Sequence, residues 1–548
     1  MSAHTEPSPG ESEAGSDRLD GASPLRVWSV VIIIALLSTI AALQYTMITA
    51  ALPKIAPSFA SAGANISWAI TIFGLVGAVS TPIFGKMSDI WGKRNILTVC
   101  ALLFVAGSVL CAVTDDFGLF LLGRGLEACG TAAGAVAYGL IRDLLPRRNI
   151  PMAVGLVGGT LALASLASPL LGGWMVDHYT WRLIFWSLAV FAAVVLAVLW
   201  VVVPESSLRV KQRLDLLGAA VLGGGVACVL LYVTEGGSWG WTAGKSIVYL
   251  VVGVVLLAGF VPLERRVEQP FVDIRILSSP KVAMTMVVSF CAVMIFAVTA
   301  YALPYMAQTP TKAQLTGLVQ AAAVKAGLPA AAIPLLHVSF PGGTLAFAGG
   351  LTLLGFAWRA NIYVGVTGMA TGPLGGGWAH RAGGRKPLIA AMAFLLVGAV
   401  LLLVLPLQGV WGLAVVAGVV GVGNGFYFAA APTLIMEAVP ARQQGITTGM
   451  WSVSSALGSA VGSAVLTAFF VANPLKVAVA VPGRPATVQT LDQLYSWAGY
   501  RDGFVFTIAV GVLGLVIAVL MKHGRTPSTG GAVPGLESAP LAGDAVGA

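Results

Sequence analysis

Charged side chains are what this sequence has least of. They make up 10% of its 548 residues, against 57% hydrophobic. A soluble protein of this length carries roughly 25% charged residues, so a water-exposed globular surface is excluded and an integral membrane protein is implied. Histidine and cysteine are also scarce, with five of each. Cys100, Cys111, Cys129, Cys228 and Cys291 all lie in apolar runs without metal-ligand spacing, and they read as small packing residues rather than disulfides. No G-x-x-x-x-G-K-[ST] loop occurs, which argues against ATP as the energy source. No nucleophile–base motif marks an enzyme, and nothing calls for a cofactor or a metal. The net charge of +9 could suggest nucleic acid. The cations fall in short loops between apolar runs, however, where membrane topology accounts for them better.

Apolar runs fill the chain instead. Residues 1–25 are rich in Ser, Gly, Glu, Asp and Pro and read as a disordered tail. It is too acidic, and the run behind it too long, for a signal peptide. Fourteen runs follow, at about 27–50, 67–84, 95–113, 117–141, 151–175, 181–203, 214–234, 246–263, 282–306, 344–378, 387–405, 411–437, 445–471 and 503–522. Each is near the ~20 residues that cross about 30 Å of hydrocarbon. The tenth is too long for one straight crossing and implies an interfacial piece. Residues 524–548 read as a second disordered tail. With the N-terminus inside, twenty-one of the 31 Lys and Arg residues fall on the inner side and nine on the outer side, leaving Arg124 within the membrane. That bias predicts a multi-pass protein of the cytoplasmic (inner) membrane with both termini cytoplasmic.

The stretch Gly85-Lys86-Met87-Ser88-Asp89-Ile90-Trp91-Gly92-Lys93-Arg94 reads as a tight cytoplasmic hinge between the second and third runs. It resembles the loop after the second helix of major facilitator superfamily transporters, roughly G-x-L-x-D-R-x-G-R-K, with Ile90 where that family usually has Arg. Residues 376–386 resemble a second copy, with His380 in the place of Asp89. The resemblance implies an all-α membrane fold of two six-helix bundles, residues 26–208 and 267–523. Fourteen runs rather than twelve put two extra transmembrane helices between them, at 209–266. This arrangement resembles the fourteen-helix drug:proton antiporter branch. An outer loop at 307–343 stands apart; Gln314 to Ala326 could form an amphipathic helix, and three prolines break the rest.

Three further motifs carry the resemblance. Leu43 to Pro53 resembles L-D-x-T-x-x-N-x-A-L-P, with Gln44 in place of Asp and Thr49 in place of Asn. Arg124 to Gly130 resembles R-x-x-Q-G-x-G, with Glu127 in place of Gln and Ala128 in place of Gly. Ala164 through Ser168, Pro169, Gly172 and Gly173 resembles the antiporter motif G-x-x-x-G-P-x-x-G-G. Ala164 and Ser168 replace its first two glycines but stay small, so helices can still approach closely. Intramembrane charges cost about 2.5–3.5 kcal/mol each on insertion scales and are read as functional. Arg124 and Glu127, at i,i+3, share a helix face and are expected to point into a central cavity. Gln44 and Glu127 look like an exchange that moves the family's carboxylate from the first span to the fourth.

The resemblance assigns Asp89 to the N-terminus of the thirteenth span, near Gln443-Gln444-Gly445. A carboxylate there satisfies free N–H groups and the helix dipole, latching the two halves. Gly85, Gly92, Lys93, Arg94, Arg142 and Asp143 would extend this latch. The expected activity is export of small hydrophobic or amphiphilic compounds by proton antiport, from a monomer in membrane lipid. An exporter of lipids or cell-envelope precursors is the alternative within transport, and a non-transporting scaffold or sensor is the alternative outside it.

Overall fold

The computed structural model describes residues 19–528 except 56–57, 60–65, 67, 207, 210–213, 268–269, 326–336, 340–349, 406–409, 441–442 and 481–486. The tail residues 1–18 and 529–548, the cations Lys211, Arg213 and Arg442, and the side chains of Thr49 and Pro169 lie outside the described part. The helices are α1 (Pro24–Ile55), α2 (Trp68–Trp91), α3 (Lys93–Val113), α4 (Phe117–Leu144), α5 (Ile150–His178), α6 (Arg182–Val202), α7 (Leu216–Trp239), α8 (Gly244–Glu264), α9 (Pro280–Gln308), α10 (Lys312–Lys325), α11 (353–382), α12 (Arg385–Val404), α13 (Val410–Ala438), α14 (Gln444–Ala472) and α15 (Trp497–Leu520). Among the described residues, thirteen are long and apolar enough to cross a membrane. The remaining long helix, α11, is richer in Gly and Thr and therefore less apolar. It is continuous through a π turn at Ala357–Asn361. It begins later than the 344–378 run suggests, since residues 350–352 are not helical.

The expected hinge loop is almost entirely helix. α2 continues through Trp91, and the reversal into α3 is made by Gly92 alone, at φ 101°. Only glycine adopts that backbone readily. The second copy behaves alike: α11 runs to Ala382, and Gly383 turns the chain at φ 85°.

The packing forms two groups. α1 to α6 pack among themselves, as do α9 and α11 to α15; α7 and α8 pack on each other and α7 lies against α2 and α14. The groups meet along two seams, α2 on α14 and α5 on α11. Small residues close both. A methyl group on Gly85 would overlap the Gly445 carbonyl, and one on Gly449 would lie 2.5 Å from Pro82 Cα. Gly155 and Gly372 stand backbone to backbone in the other seam.

Three features depart from the expected all-helical plan. Strands β1 (His337–Ser339), β2 (Pro474–Ala480) and β3 (Thr487–Tyr495) form an antiparallel sheet in that order. It joins the loop after α10 to the hairpin between α14 and α15. Tyr495 anchors it, stacked 4.4 Å from Phe470, which also meets Tyr500 at 4.5 Å. In the N-terminal tail, Leu19–Gly21 forms a 3-10 turn that buries Leu19. The C-terminal tail is ordered through Ser528: Arg385 N donates to Gly524 O (3.1 Å) and Ser528 N to Ala379 O (3.1 Å).

Candidate functional site

Gln44 on α1, Ser108 on α3, and Arg124 and Glu127 on α4 converge in one fully buried cluster. Arg124 Nη1 donates to Glu127 Oε2 at 2.7 Å, Ser108 Oγ donates to Glu127 Oε1 at 2.6 Å, and Gln44 Nε2 donates to Glu127 Oε2. Arg124 Nε donates to the Ala69 carbonyl of α2 at 2.9 Å, and its guanidinium lies 4.5 Å from the Phe73 ring centre. Among the described residues, Arg124 Nη2 and Gln44 Oε1 have no hydrogen-bond partner. The glycine at 107 makes the site possible, because a methyl group there would lie 2.8 Å from Glu127 Cγ.

One expectation changes here. The Arg124–Glu127 pair does not line an open cavity; it is sealed between α1, α2, α3 and α4, with neither side chain exposed. α4 is also not uniform. Directly after Glu127 it tightens into a 3-10 turn at Cys129–Thr131, and such mid-helix steps often mark hinges. The antiporter-like stretch of α5 lies against α1 beside this cluster. Ser168 Oγ donates to Leu43 O (3.0 Å) and Ala164 O (2.6 Å), and Gly172 admits Met47. Gly173 faces open space.

A second cluster ties α2 to α14. Asp89 Oδ2 accepts from Gly445 N at 3.0 Å, at the free N-terminus of α14. Lys93 Nζ lies 3.6 Å from Asp89 Oδ1 and 2.9 Å from Asp143 Oδ2, with all three side chains buried. Arg142 Nη1 donates to Gln444 Oε1 at 2.7 Å and to Val439 O at 3.3 Å, a second crossing between the groups. His380, the counterpart of Asp89 in the repeat, meets Ser528 O at 3.3 Å instead of another helix.

Several polar residues were missed by the sequence reading. Glu205, after α6, accepts from Arg94 N (3.0 Å) and Asn95 N (3.1 Å) and caps α3. Ser206 Oγ donates to Asp143 Oδ2 at 2.7 Å. Their signal was an acidic Pro-Glu-Ser step directly after a span, on the side of the basic turn. Arg94 itself stacks 4.3 Å over Trp200 and donates to Val203 O at 3.1 Å, so it braces α3 on α6 rather than joining the crossing. Glu235 of α7 accepts from Thr71 of α2 at 3.2 Å. Among the described residues, no group of three or more His, Cys, Asp or Glu is placed to hold a metal ion.

The comparisons agree on the class of protein. The family described as Major Facilitator Superfamily matches residues 34–358, and that described as Sugar (and other) transporter matches residues 357–491. The multidrug resistance protein Stp of Mycobacterium tuberculosis is 26% identical over 77% of this chain and 72% of its own. An uncharacterized MFS-type transporter of the same organism is 31% identical over 46% of this chain and 37% of its own. The MFS-type efflux pump MMF1 of Pseudozyma antarctica is 35% identical over 44% of this chain and 45% of its own. The chain thus spans less than half the length of the last two. Among solved structures, the human organic anion transporter MFSD10 (TETRAN) superposes with a TM-score of 0.58 over 90% of this chain and all of its own, at 16% identity. A peptide transporter, POT, does so with 0.55 over 90% of this chain and 95% of its own, at 15% identity. At such identities the likeness bears on the fold alone.

Proposed function

Since this chain belongs to the major facilitator superfamily, we propose that it exports small hydrophobic or amphiphilic compounds across the cytoplasmic membrane in exchange for protons. The observation that carries this reading is the buried cluster of Gln44, Arg124 and Glu127. A carboxylate with no contact with water is costly to keep in a membrane interior and is a natural proton carrier. The guanidinium balances its charge at 2.7 Å. Small movements that separate the pair would therefore load or release a proton. The names of the multidrug and efflux relatives support the substrate class.

In this reading the cluster around Asp89 latches the transporter closed on its cytoplasmic side. The carboxylate meets the N–H groups and positive dipole end of α14, and Arg142 adds a second crossing contact. Release of both would open the cytoplasmic access route. The sheet and α10 lie at the ends of α9, α14 and α15 away from the latch, which this reading makes the outer side, and they support a second reading, export of lipids or envelope precursors. Proteoliposomes separate the readings. Efflux of a panel of dyes and lipids is measured with and without an imposed pH gradient, for the native protein and for Glu127→Gln. Gradient-driven dye efflux that Glu127→Gln abolishes, with downhill movement spared, is the expected result. Normal uphill export by Glu127→Gln would remove Glu127 as the carrier.

A further inference from the structure

The cluster's burial raises a physical question: a proton must reach Glu127, yet its side chain is fully covered by protein. The aromatic side chains above it supply an answer. Phe73 lies directly over the Arg124 guanidinium and is buried. Tyr45 lies on Phe73, with ring centres 5.7 Å apart and planes tilted by 34°. Guanidinium, Phe73 and Tyr45 thus form three layers running outward from the buried charge.

Tyr45 is 42% exposed although it lies in the middle of α1. The helix geometry says which way it faces, at 100° per residue. Leu37 and Ile40 line one small cavity with Cys100, Phe104 and Ala192, so α3 and α6 back one side of α1. Leu43 and Met47 contact Ser168 and Gly172, so α5 covers a second side. Gln44 turns toward α4. Tyr45 stands about 100° from Gln44 and about 160° from Leu43 and Met47 around the helix, on the face that these contacts leave uncovered. Gly74, next to Phe73 on α2, is likewise exposed, with nothing within 4 Å of where a methyl group would stand. Open space therefore borders the aromatic stack.

We infer that Tyr45 and Phe73 form an aromatic seal between this space and the Arg124–Glu127 pair, and that a planar aromatic substrate, neutral or cationic, stacks on the exposed face of Tyr45. This inference rests on the proton-antiport reading above. A flat ring on Tyr45 gains stacking and, if cationic, attraction to the ring face. Shifting Tyr45 moves the ring of Phe73 that covers Arg124. The unpartnered Arg124 Nη2 can then donate to water and Gln44 Oε1 accept from it, and Glu127 comes into contact with the proton supply. Substrate binding and proton access are thereby joined through two side chains, which act as positioning residues for the carboxylate.

The test uses the full-length protein in liposomes enclosing a pH-sensitive dye. Proton leak down an imposed gradient is recorded without substrate, then ethidium export is recorded with it. Tyr45→Ala and Phe73→Ala are expected to leak protons several-fold faster than the native protein, because water exclusion is what prevents leakage from such a site. Tyr45→Phe, which keeps the ring, restores the low leak. Tyr45→Leu is expected to raise the ethidium KM by about 2- to 5-fold through loss of the ring contact. Tyr45 is exposed, so its variants carry the test even where Phe73→Ala lowers folded yield. Native coupling with tight Tyr45→Ala liposomes would overturn the seal alone. A native protein that exports ethidium without moving protons would overturn the antiport reading and the seal with it.

Discussion

The backbone contact between Gly85 and Gly445 makes a sharp prediction about conformation. In Gly85→Ala, the added methyl carbon would lie 2.9 Å from the Gly445 carbonyl carbon and closer still to its oxygen. Both neighbours are helix backbone, so neither can rotate away. Overpacking of this kind costs about 1–3 kcal/mol. The cost applies only where α2 and α14 touch, so a state with this seam open escapes it. The ratio of closed to open should fall by roughly 5- to 150-fold. Spin labels on Trp91 and Lys386, both exposed and on opposite groups, would report the change as a longer mean distance in reconstituted protein. Gly74→Ala is the control on the same helix, since its methyl group meets nothing within 4 Å. A Gly85→Ala distance distribution identical to that of the Gly74→Ala control would refute the reasoning, as would a uniform loss of folded protein.

Three further outcomes are expected. Asp89→Asn weakens an ion–dipole contact worth about 0.3–1 kcal/mol, or up to ~2 when partly buried, so the same labels should show an opening of roughly 2- to 30-fold with folded yield preserved. Gly92→Ala forces φ 101° on a residue with a side chain and presses it within 2.8 Å of a Glu205 carboxylate oxygen; thermal unfolding should show a loss of about 1–3 kcal/mol. Gln44→Asp combined with Glu127→Gln returns the carboxylate to α1 and should restore part of the gradient-driven export lost in Glu127→Gln, measured in the same liposomes.

Much of this was legible in the sequence, and the exceptions have physical causes. Apolar runs near bilayer length located the spanning helices, and Gly92 and Gly383 marked both repeated turns. The charged stretch from Lys86 to Lys93 read as loop because charge is expensive in a membrane helix. Here Lys93 pairs with both Asp89 and Asp143, so α2 can carry Asp89 in its last turn. The strands escaped notice although Leu475 to Val481, then Pro482-Gly483, then Thr487 to Tyr495 have the alternation and turn residues of a hairpin. Tyr45 and Phe73 left no signal, since aromatic residues inside an apolar helix look like ordinary packing. Only the stacking over Arg124 distinguishes them.

The placement of the carboxylate on α4 has a mechanistic consequence. Were the carboxylate on α1, its pairing with Arg124 would cross between helices, and sliding α1 past α4 would be enough to break it. Here Arg124 and Glu127 are three residues apart on one helix, and α1 contributes only the neutral amide of Gln44. Relative motion of α1 and α4 changes a hydrogen bond but cannot part the charges. If Glu127 carries the proton, separation has to come from within α4, by rotation of either side chain or by a change in the helix itself. The 3-10 turn at Cys129–Thr131 begins two residues after Glu127, where Cys129 N bonds to both the Leu126 and Glu127 carbonyls. Relaxing that turn toward α geometry would rotate Glu127 relative to the lower half of α4, where Arg142 and Asp143 hold the contacts at the latch. One helix would then connect the proton site to the seam that opens and closes, without any contact between the two clusters.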